Sequence, residues 1–266
     1  MSLTGKTKAA SYKDILQMNN SNSGIDTSAR VVVDGEGTES SLGISDDQTI
    51  IKPINDDTTA AFSVRDKDAN TLLAVDSSND VVKAGVGQHI VNTQYAYFGA
   101  NYTTTDSFAT NTHYPLAFSA ASGGLTATND VDFGTGANPD TTFTTANTDT
   151  QYASQLVPMM WRVPDNITID EIKHFEGADA SSGDTTRMHL NSFTLNSGVS
   201  ACLTSGAVVA NTTADNTNGG NEQPYLKDWT IVTGDVDAGK VLLCLFRSDS
   251  VNSDYSVSVT IKYHLR

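Results

Sequence analysis

The sequence is poor in cysteine, proline and aromatic side chains. It contains 2 cysteines and 6 prolines, and 8% of its residues are aromatic. Two cysteines cannot build the dense disulfide framework of a small secreted domain. We expect Cys202 and Cys244 to be free, buried thiols, with a disulfide between them as the alternative. Neither has a CxxC partner or a nearby histidine in the sequence, so neither indicates a metal or redox site.

Basic residues and long apolar runs are also scarce. The chain has 16 lysines and arginines against 31 aspartates and glutamates, which gives a net charge of -15. A charge of this sign repels nucleic-acid phosphates and anionic lipids, so we expect no nucleic-acid partner. No run approaches about eighteen apolar residues, and residues 1–10 lack the apolar segment of a secretory signal. We therefore expect neither membrane insertion nor signal-directed export.

Signatures of catalysis are missing from the sequence. It contains no nucleophile elbow, phosphate-binding loop, dinucleotide fingerprint or zinc-protease motif. With 31 acidic residues some carboxylates will pair by chance, so such a pair would not by itself indicate a glycosidase. We expect no enzyme activity, no catalytic residue, no cofactor and no metal site. Ordinary surface or cross-strand roles are expected for the five scattered histidines, His89, His113, His174, His189 and His264.

Asp66, Asp68 and Asn70 have the spacing that opens an EF-hand calcium loop. Thr71 stands where that loop needs glycine, and Ser77 stands where it needs its bidentate glutamate. We therefore predict a hairpin turn at this position rather than a calcium site.

The composition favours strands over helices. Apolar residues make up 38% of the chain and charged residues 18%, and threonine, serine, asparagine and glycine fill much of the remainder. We predict a mainly β fold in three parts: a short N-terminal helix, a thin β stalk and a C-terminal antiparallel β-sandwich head that is jelly-roll-like.

Residues 1–28 are predicted to form an anchor. Apolar side chains at helical spacing indicate one short helix over residues 7–18. A helix of this length hardly persists alone, so we expect its apolar stripe to dock on another protein. The expected contact residues are Tyr12, Lys13, Ile15 and Leu16.

Residues 29–85 are predicted to form a trimeric β stalk. Short apolar runs alternate there with turn-rich clusters at residues 66–70 and 76–80, which is typical of short strands joined by tight turns. These strands carry too few large side chains to close a core within one chain. We expect three chains to share a core formed by Phe62, Val64, Leu72, Val75 and Val81.

Residues 86–266 are predicted to form the head. Apolar and polar residues alternate strictly over residues 255–265, which predicts a strand with one buried face. Residues 240–246 are continuously apolar, so we expect a central strand covered on one side by the opposite sheet and on the other by a neighbouring subunit. The loop at residues 211–223 is expected to be exposed. The other strands are predicted at residues 155–163, 167–175, 186–195 and 229–232.

Two segments carry a resemblance to a known family. Residues 12–26, YKDILQMNNSNSGID, followed by RVVVDGEG at residues 30–37, resemble the N-terminal segment of fibre and spike proteins of tailed bacteriophages, especially marine ones. Residues 62–76, FSVRDKDANTLLAVD, resemble the stalk repeats that often follow. The resemblance implies a homotrimer that attaches to the virion through its N-terminus and turns its distal part to the host. From about residue 92 onward no family motif is recognised.

These expectations combine into one functional prediction. The chain is expected to be a virion structural protein, assembled in the cytoplasm of the bacterial host, that forms a homotrimeric fibre or spike. Its N-terminus would bind another virion protein, of the capsid or the tail, and its head would bind a host glycan or surface protein. A capsid cement or decoration protein that stabilises the shell is the alternative. A polysaccharide depolymerase is a third, less favoured reading.

Overall fold

The structure is a computed structural model that describes residues 15–21, 23–102, 109–118, 131–143, 155–178, 182–213, 216–219, 223–250 and 254–266. It is mainly β with antiparallel sheets, which confirms the predicted class. The chain divides into two compact units, Met1–Val91 (unit 1) and Asn92–Arg266 (unit 2). Within the described residues, no helix has the length and apolar character needed to cross a membrane.

The described part of unit 1 forms two four-stranded meanders, in which consecutive strands pair antiparallel. Sheet A contains β1 (Gln17–Met18), β2 (Arg30–Val33), β3 (Glu39–Ile44) and β4 (Thr49–Ile51). Sheet B contains β5 (Phe62–Arg65), β6 (Thr71–Asp76), β7 (Val81–Ala84) and β8 (His89–Ile90). Strand β8 lies beyond the predicted end of the stalk at residue 85, yet it pairs with β7 inside unit 1.

The predicted N-terminal helix is wrong at its C-terminal end, because residues 17 and 18 form strand β1. This strand pairs with Val32 and Val33 of β2. A helix of about three turns is marginal alone, whereas pairing with β2 gives the backbone polar groups of β1 immediate partners. Residues 1–14, including Tyr12 and Lys13 of the predicted anchor, lie outside the described residues.

Sheets A and B repeat one three-stranded element at a spacing of 32 residues. In sheet A, β2, β3 and β4 begin at Arg30, Glu39 and Thr49, and in sheet B, β5, β6 and β7 begin at Phe62, Thr71 and Val81. The first turn of each copy is also the same. Asp34 and Asp66 each accept two hydrogen bonds of 2.8 to 2.9 Å, from the backbone N–H groups two and four residues later. Gly37 and Ala69, three residues after the aspartates, have positive φ angles of 89° and 66°.

Unit 2 contains two larger antiparallel sheets. Sheet C has the order β11-β9-β21-β13-β17, with β19 paired to β13, and sheet D has the order β10-β20-β14-β15-β18, with β12 paired to β20 and β16 to β14. The strands are β9 (Thr93–Tyr102), β10 (Tyr114–Pro115), β11 (Ala117–Phe118), β12 (Trp161–Arg162), β13 (Ile167–Ala178), β14 (Thr185–Leu195), β15 (Leu203–Asn211), β16 (Asn216–Thr217), β17 (Gln223–Asp228), β18 (Thr230–Ile231), β19 (Asp235–Val236), β20 (Val241–Ser248) and β21 (Tyr255–Leu265). A 3-10 turn at Val157–Met159 precedes β12.

Two apolar clusters form the core of unit 2. The first contains side chains from both sheets, such as Phe98 and Val259 of sheet C and Leu190 of sheet D. The second contains Phe193 of sheet D together with Phe133 and Phe143 of the connecting segments. The ring centroids of Phe133 and Phe193 are 5.6 Å apart. Sheet D is therefore covered by apolar side chains on both of its faces.

Strand β20 explains the continuous apolar run in the sequence. All eight of its residues are buried. Leu242, Cys244 and Phe246 belong to the first cluster, and Val241, Leu243 and Leu245 belong to the second. The second cover comes from residues of the same chain, whereas a neighbouring subunit was expected there. A neighbouring subunit is thus not needed to bury this strand.

Candidate functional site

The predicted stalk core divides between the two faces of sheet B. Residues paired across antiparallel strands lie on the same face of a sheet. Phe62 pairs with Val75, and Val75 pairs with Val82, while Val64 pairs with Leu73 of the same face. Successive residues of a strand alternate between faces, so Leu72 and Val81 lie on the opposite face. We call the set Phe62, Val64, Leu73, Val75 and Val82 the apolar face of sheet B.

The apolar face of sheet B is open in the single chain. Phe62 and Val64 are each 41% exposed, and Val82 is 40% exposed. Sheet A offers the equivalent surface, because Gly43 pairs with Ile50 there as Val75 pairs with Val82 in sheet B. Gly43 has no side chain where the other copy has valine, and a groove of about 290 Å³ lies along this surface.

Polar contacts cover the opposite face of sheet B around Asp76, whereas Leu72 on the same face is 43% exposed. Asp76 has no exposed surface, and Ala74 beside it is buried. Lys83 Nζ donates to the Asp76 carboxylate at 2.6 Å, and Asn79 Nδ2 donates to it at 2.9 Å. The hydrogen bonds from Lys83 and then Asn79 lower the pKa of Asp76 below its ordinary value. The carboxylate thus remains charged and fixes the turn between β6 and β7.

The remaining predicted positions of unit 1 have local roles or open side chains. Ile15 is 42% exposed and Leu16 is 71% exposed, immediately before β1. The Asp66 carboxylate accepts hydrogen bonds from Asp68 and Asn70 of its own turn. These bonds, those from Asn70 first, lower the pKa of Asp66. The carboxylate therefore has the structural role in the hairpin that the sequence predicted.

Unit 2 contains a polar cleft between sheets C and D, with a volume of about 130 Å³. It lies where strand β17 forms the edge of sheet C and where β16 pairs with β14 in sheet D. We call it the inter-sheet cleft. Its lining residues come from four strands and one connecting residue: His174, Glu176, Thr186, Arg187, Met188, Thr212, Asn216, Lys227 and Asp228.

Glu176 forms the floor of the inter-sheet cleft and is 2% exposed. Thr186 Oγ1 lies 2.7 Å from both of its carboxylate oxygens, and Asn216 Nδ2 donates to Oε1 at 2.7 Å. His174 Nε2 lies 3.3 Å from Oε2. A carboxylate offers about four acceptor positions, so these three donors occupy most of those of Glu176. Burial raises the pKa of Glu176, but the hydrogen bonds from His174, Thr186 and Asn216 together lower it below the ordinary value.

The tautomer of His174 follows from its second contact. Trp229 Nε1 donates to His174 Nδ1 at 2.7 Å. Indole N–H is only a donor, so Nδ1 accepts and the proton of a neutral His174 lies on Nε2, facing Glu176. Protonating Nδ1 would break the bond from Trp229. The chain of contacts from Trp229 to Glu176 therefore fixes the floor of the cleft.

Sequence reasoning missed the polar interior of unit 2. His113, His174 and His189 are 0 to 1% exposed, so a surface role is wrong for these three histidines. His174 and His189 do stand in cross-strand pairs, as the alternative expectation had it. The loop at residues 211–223 was expected to be exposed, but Asn216 in it is buried, and so is Asn218. In the sequence Asn216 stands in a loop of polar residues. Such a pattern does not distinguish a buried amide from an exposed one, so no signal in the sequence could have found Asn216.

A second buried polar cluster lies on the other face of sheet D. The rings of His113 and His189 meet edge to face, with centroids 5.0 Å apart. His113 Nε2 contacts the carbonyl oxygen of Gly136 at 3.1 Å. Burial first, and the positive charges of Arg187 and Arg247 in addition, lower the pKa of His113 to about 4 and that of His189 to about 3. Both imidazoles are therefore neutral at pH 7.

The described residues offer little for metal or thiol chemistry. No three of the described His, Cys, Asp and Glu side chains are grouped so that they could hold a metal ion. Cys202 and Cys244 are both free. Cys244 is buried and Cys202 half-buried, and burial raises the pKa of both thiols. Thiols in such surroundings are poor nucleophiles.

Comparison with known proteins does not assign this chain to a family. No protein-family model matches the chain, and no curated protein matches it. Among solved structures, that of Eiger TNF from S. frugiperda aligns with 11% sequence identity and a TM-score of 0.28, over 66% of this chain and 94% of that one. A likeness at this level supports no argument about fold or function.

Proposed function

We propose that this chain is a virion structural protein of a tailed bacteriophage that forms a homotrimeric fibre or spike. In this proposal the N-terminal segment anchors the protein to another virion protein, unit 1 is the stalk and unit 2 is the head that recognises the host surface. The resemblance of residues 12–37 and 62–76 to phage fibre segments supports the phage assignment.

The observation that carries the trimeric stalk is the open apolar face of sheet B. Phe62, Val64 and Val75 are 36 to 41% exposed in a four-stranded sheet of short strands. An isolated sheet of this size is marginal in water, and covering apolar surface contributes about 25 cal/mol per Å². A second and a third copy of the chain supply that cover with matching surfaces. Sheet A repeats the same element and offers a second surface of this kind.

We further infer that sheets C and D form an antiparallel β-sandwich that is jelly-roll-like. Side chains from both sheets join in one apolar cluster, and all of their described strand pairs are antiparallel. Because unit 2 has its own core, it can present loops and the inter-sheet cleft without help from the stalk. We therefore assign recognition of a host glycan or surface protein to unit 2.

Attachment is tested by changing the two exposed residues before β1. The double variant Ile15→Asp, Leu16→Asp places charge in the proposed apolar contact without touching the strand pairs of sheet A. We expect this variant to fold and to form trimers but to be missing from purified particles. Deleting residues 1–14 should have the same effect and spares β1, whereas deleting residues 1–28 would also remove that strand.

Two outcomes would overturn this proposal. Incorporation of the double variant at the wild-type copy number would mean that attachment lies elsewhere in the chain. Electron cryomicroscopy of the particle that shows copies across the whole capsid lattice, rather than sparse projecting trimers, would establish a cement or decoration protein.

A further inference from the structure

We propose that the inter-sheet cleft of unit 2 binds one sugar unit of a neutral, hydroxyl-rich ligand. The inference deepens the recognition role proposed for unit 2 and rests on that role for its biological meaning. The binding itself is a property of the isolated chain, which can be measured without a virion.

The polar groups on the floor of the cleft are already hydrogen-bonded to one another. Glu176 accepts hydrogen bonds from three side chains, and His174 is held by Trp229 from behind. A carboxylate that is 2% exposed and already accepts from three donors leaves little room for a metal ion or an ammonium group. The floor therefore positions its neighbours rather than binding a ligand directly. Thr186 and Asn216 are the neighbours that it fixes.

The groups left open on the walls are both donors and acceptors. Thr212 Oγ1 accepts a hydrogen bond from the backbone N–H of Met188 at 3.3 Å. Among the described residues, no acceptor is found for the hydrogen of the Thr212 hydroxyl group. No described donor reaches the amide oxygen of Asn216, whose nitrogen is bound to Glu176. Lys227 pairs with His174 across β13 and β17, so it shares the inward face. Its ammonium group lies 5.8 Å from the ring centre of Tyr225 and keeps donors for a ligand.

The charges of the lining balance. Glu176 is negative and Lys227 is positive. The Asp228 carboxylate pairs with Lys173 on the outer face of sheet C, and the charge of Arg187 acts on His189 on the other face of sheet D. An ionic ligand of either sign would meet both attraction and repulsion, so the cleft gives it no net advantage. A hydroxyl group donates and accepts at once, and it can use the open hydroxyl, amide and ammonium groups together.

The size of the cleft limits the ligand to one ring. Its volume of about 130 Å³ is below the roughly 300 to 1,000 Å³ of pockets that enclose a drug-sized molecule. The space exceeds by about tenfold the 10 to 15 Å³ that a single water needs. The cleft thus fits one sugar unit, and the rest of a glycan would lie outside the edge of the sheets.

The test is saturation-transfer NMR on the full chain with the methyl glycosides of glucose, galactose, mannose and N-acetylglucosamine as probes. We expect at least one glycoside to receive saturation, and phosphate and tetramethylammonium to give no binding in parallel titrations. Lys227→Met should weaken glycoside binding on the order of tenfold, and Thr212→Val by several-fold, because each removes one hydrogen-bond donor. Lys262→Met, on strand β21 outside the lining, is the matched control and should bind as the wild type does.

Several results would overturn the inference. The first is that none of the four glycosides binds at millimolar concentration. The second is that the wild type and both cleft variants bind equally well, and the third is that a charged probe binds in preference to the glycosides. Thermal melting of each variant identifies loss of folding. If both variants unfold, the wild-type chain is used instead: bound glycoside should protect Lys227 from covalent modification, and absence of protection would overturn the inference. A failure here leaves virion incorporation intact, and a failure of incorporation leaves glycoside binding intact, so the two proposals fail separately.

Discussion

Unit 1 and unit 2 use the same antiparallel pairing but bury their apolar residues differently. In the described part of unit 1 the buried apolar residues are Val32, Val33 and Ala74, whereas unit 2 buries two clusters with large aromatic side chains. Short strands in four-stranded meanders provide one layer, and a single layer has nothing to pack its apolar face against. Unit 2 therefore buries its apolar core within one chain, whereas unit 1 leaves an apolar face exposed, on which we propose that further copies pack.

Charging the apolar face of sheet B should have the largest effect. Val75→Asp together with Val82→Asp places two carboxylates on neighbouring strands where the proposed trimer is closed, and burying unpaired charge is strongly unfavourable. We expect the trimer to dissociate into monomers whose unit 2 remains folded, as measured by light scattering and circular dichroism.

The matched control for this change lies on the opposite face. Leu72 is 43% exposed, much as Phe62 is, but it points away from the apolar face. Leu72→Asp should therefore leave the trimer intact. Dissociation by Leu72→Asp alone, or persistence of the trimer in the double variant, would show that the assigned face is wrong.

Changing the buried carboxylate of unit 2 should have an intermediate effect. Glu176→Gln puts an amide N–H₂ group where Thr186, Asn216 and His174 all provide donors, so one or more bonds to a charged acceptor are lost. We expect the free energy of unfolding of unit 2 to fall by about 2 to 3 kcal/mol. Denaturant unfolding followed by tryptophan fluorescence measures this change.

Strand β13 supplies its own control for that substitution. Glu171 lies on the exposed face, with its side chain 49% exposed and paired to Lys173. Exposed ion pairs contribute less than about 1 kcal/mol, so Glu171→Gln should change the stability little. Equal effects of the two substitutions would mean that the Glu176 network does not stabilise the cleft.

Acidification should have the smallest effect, measured as the change in the free energy of unfolding per pH unit. It should act on unit 2. The folded pKa values of His113 and His189 are about 4 and about 3, below the ordinary 6.5. Below pH 6.5 the unfolded chain binds protons that the folded chain excludes, so stability is complete above that pH and is lost as the pH falls towards 3. Each such proton changes the free energy of unfolding by about 1.4 kcal/mol per pH unit.

Denaturation between pH 7 and pH 4.5 isolates this effect, because most carboxylates stay ionised there. His189→Leu should make stability depend less steeply on pH in this range. The control is His89→Leu in sheet B of unit 1, which leaves both buried imidazoles of unit 2 in place. An unchanged slope in His189→Leu would contradict the neutral, buried state assigned to this imidazole.

The sequence predicted the elements that follow a plain pattern. The alternation over residues 255–265 coincides with strand β21, and the continuous apolar run became β20, covered on both faces. Short strands separated by aspartate-rich turns were found as β5, β6 and β7. In each case the local pattern and the tertiary contacts agree, which is why the pattern was sufficient.

The polar cleft could not be predicted, because a bulge hides it. The pairing of β13 with β21 shifts between Ile169 and Glu171. Such a shift exchanges the faces of all later residues, so His174 and Glu176 face inward together with Ile172. Read without the bulge, the same stretch places Phe175 inside, whereas it is 58% exposed. The bulge depends on the partner strand and leaves no mark in the sequence of β13.

The repeat in unit 1 was missed for a related reason. The two copies preserve a turn and a register, and their first turns share the aspartates Asp34 and Asp66 but have different residues, Gly37 and Ala69, at the position with positive φ. One aspartate in each copy and the pairing of the backbone define this element, and most of the other side chains of the two copies differ. Identity of sequence is therefore a weak guide to it.

The mass of the wild-type chain in solution tests the central claim most directly. Sedimentation equilibrium at micromolar concentration should give three times the 28.2 kDa of one chain, because the apolar face of sheet B is covered only when copies associate. A stable, folded monomer of 28.2 kDa under these conditions would contradict the account.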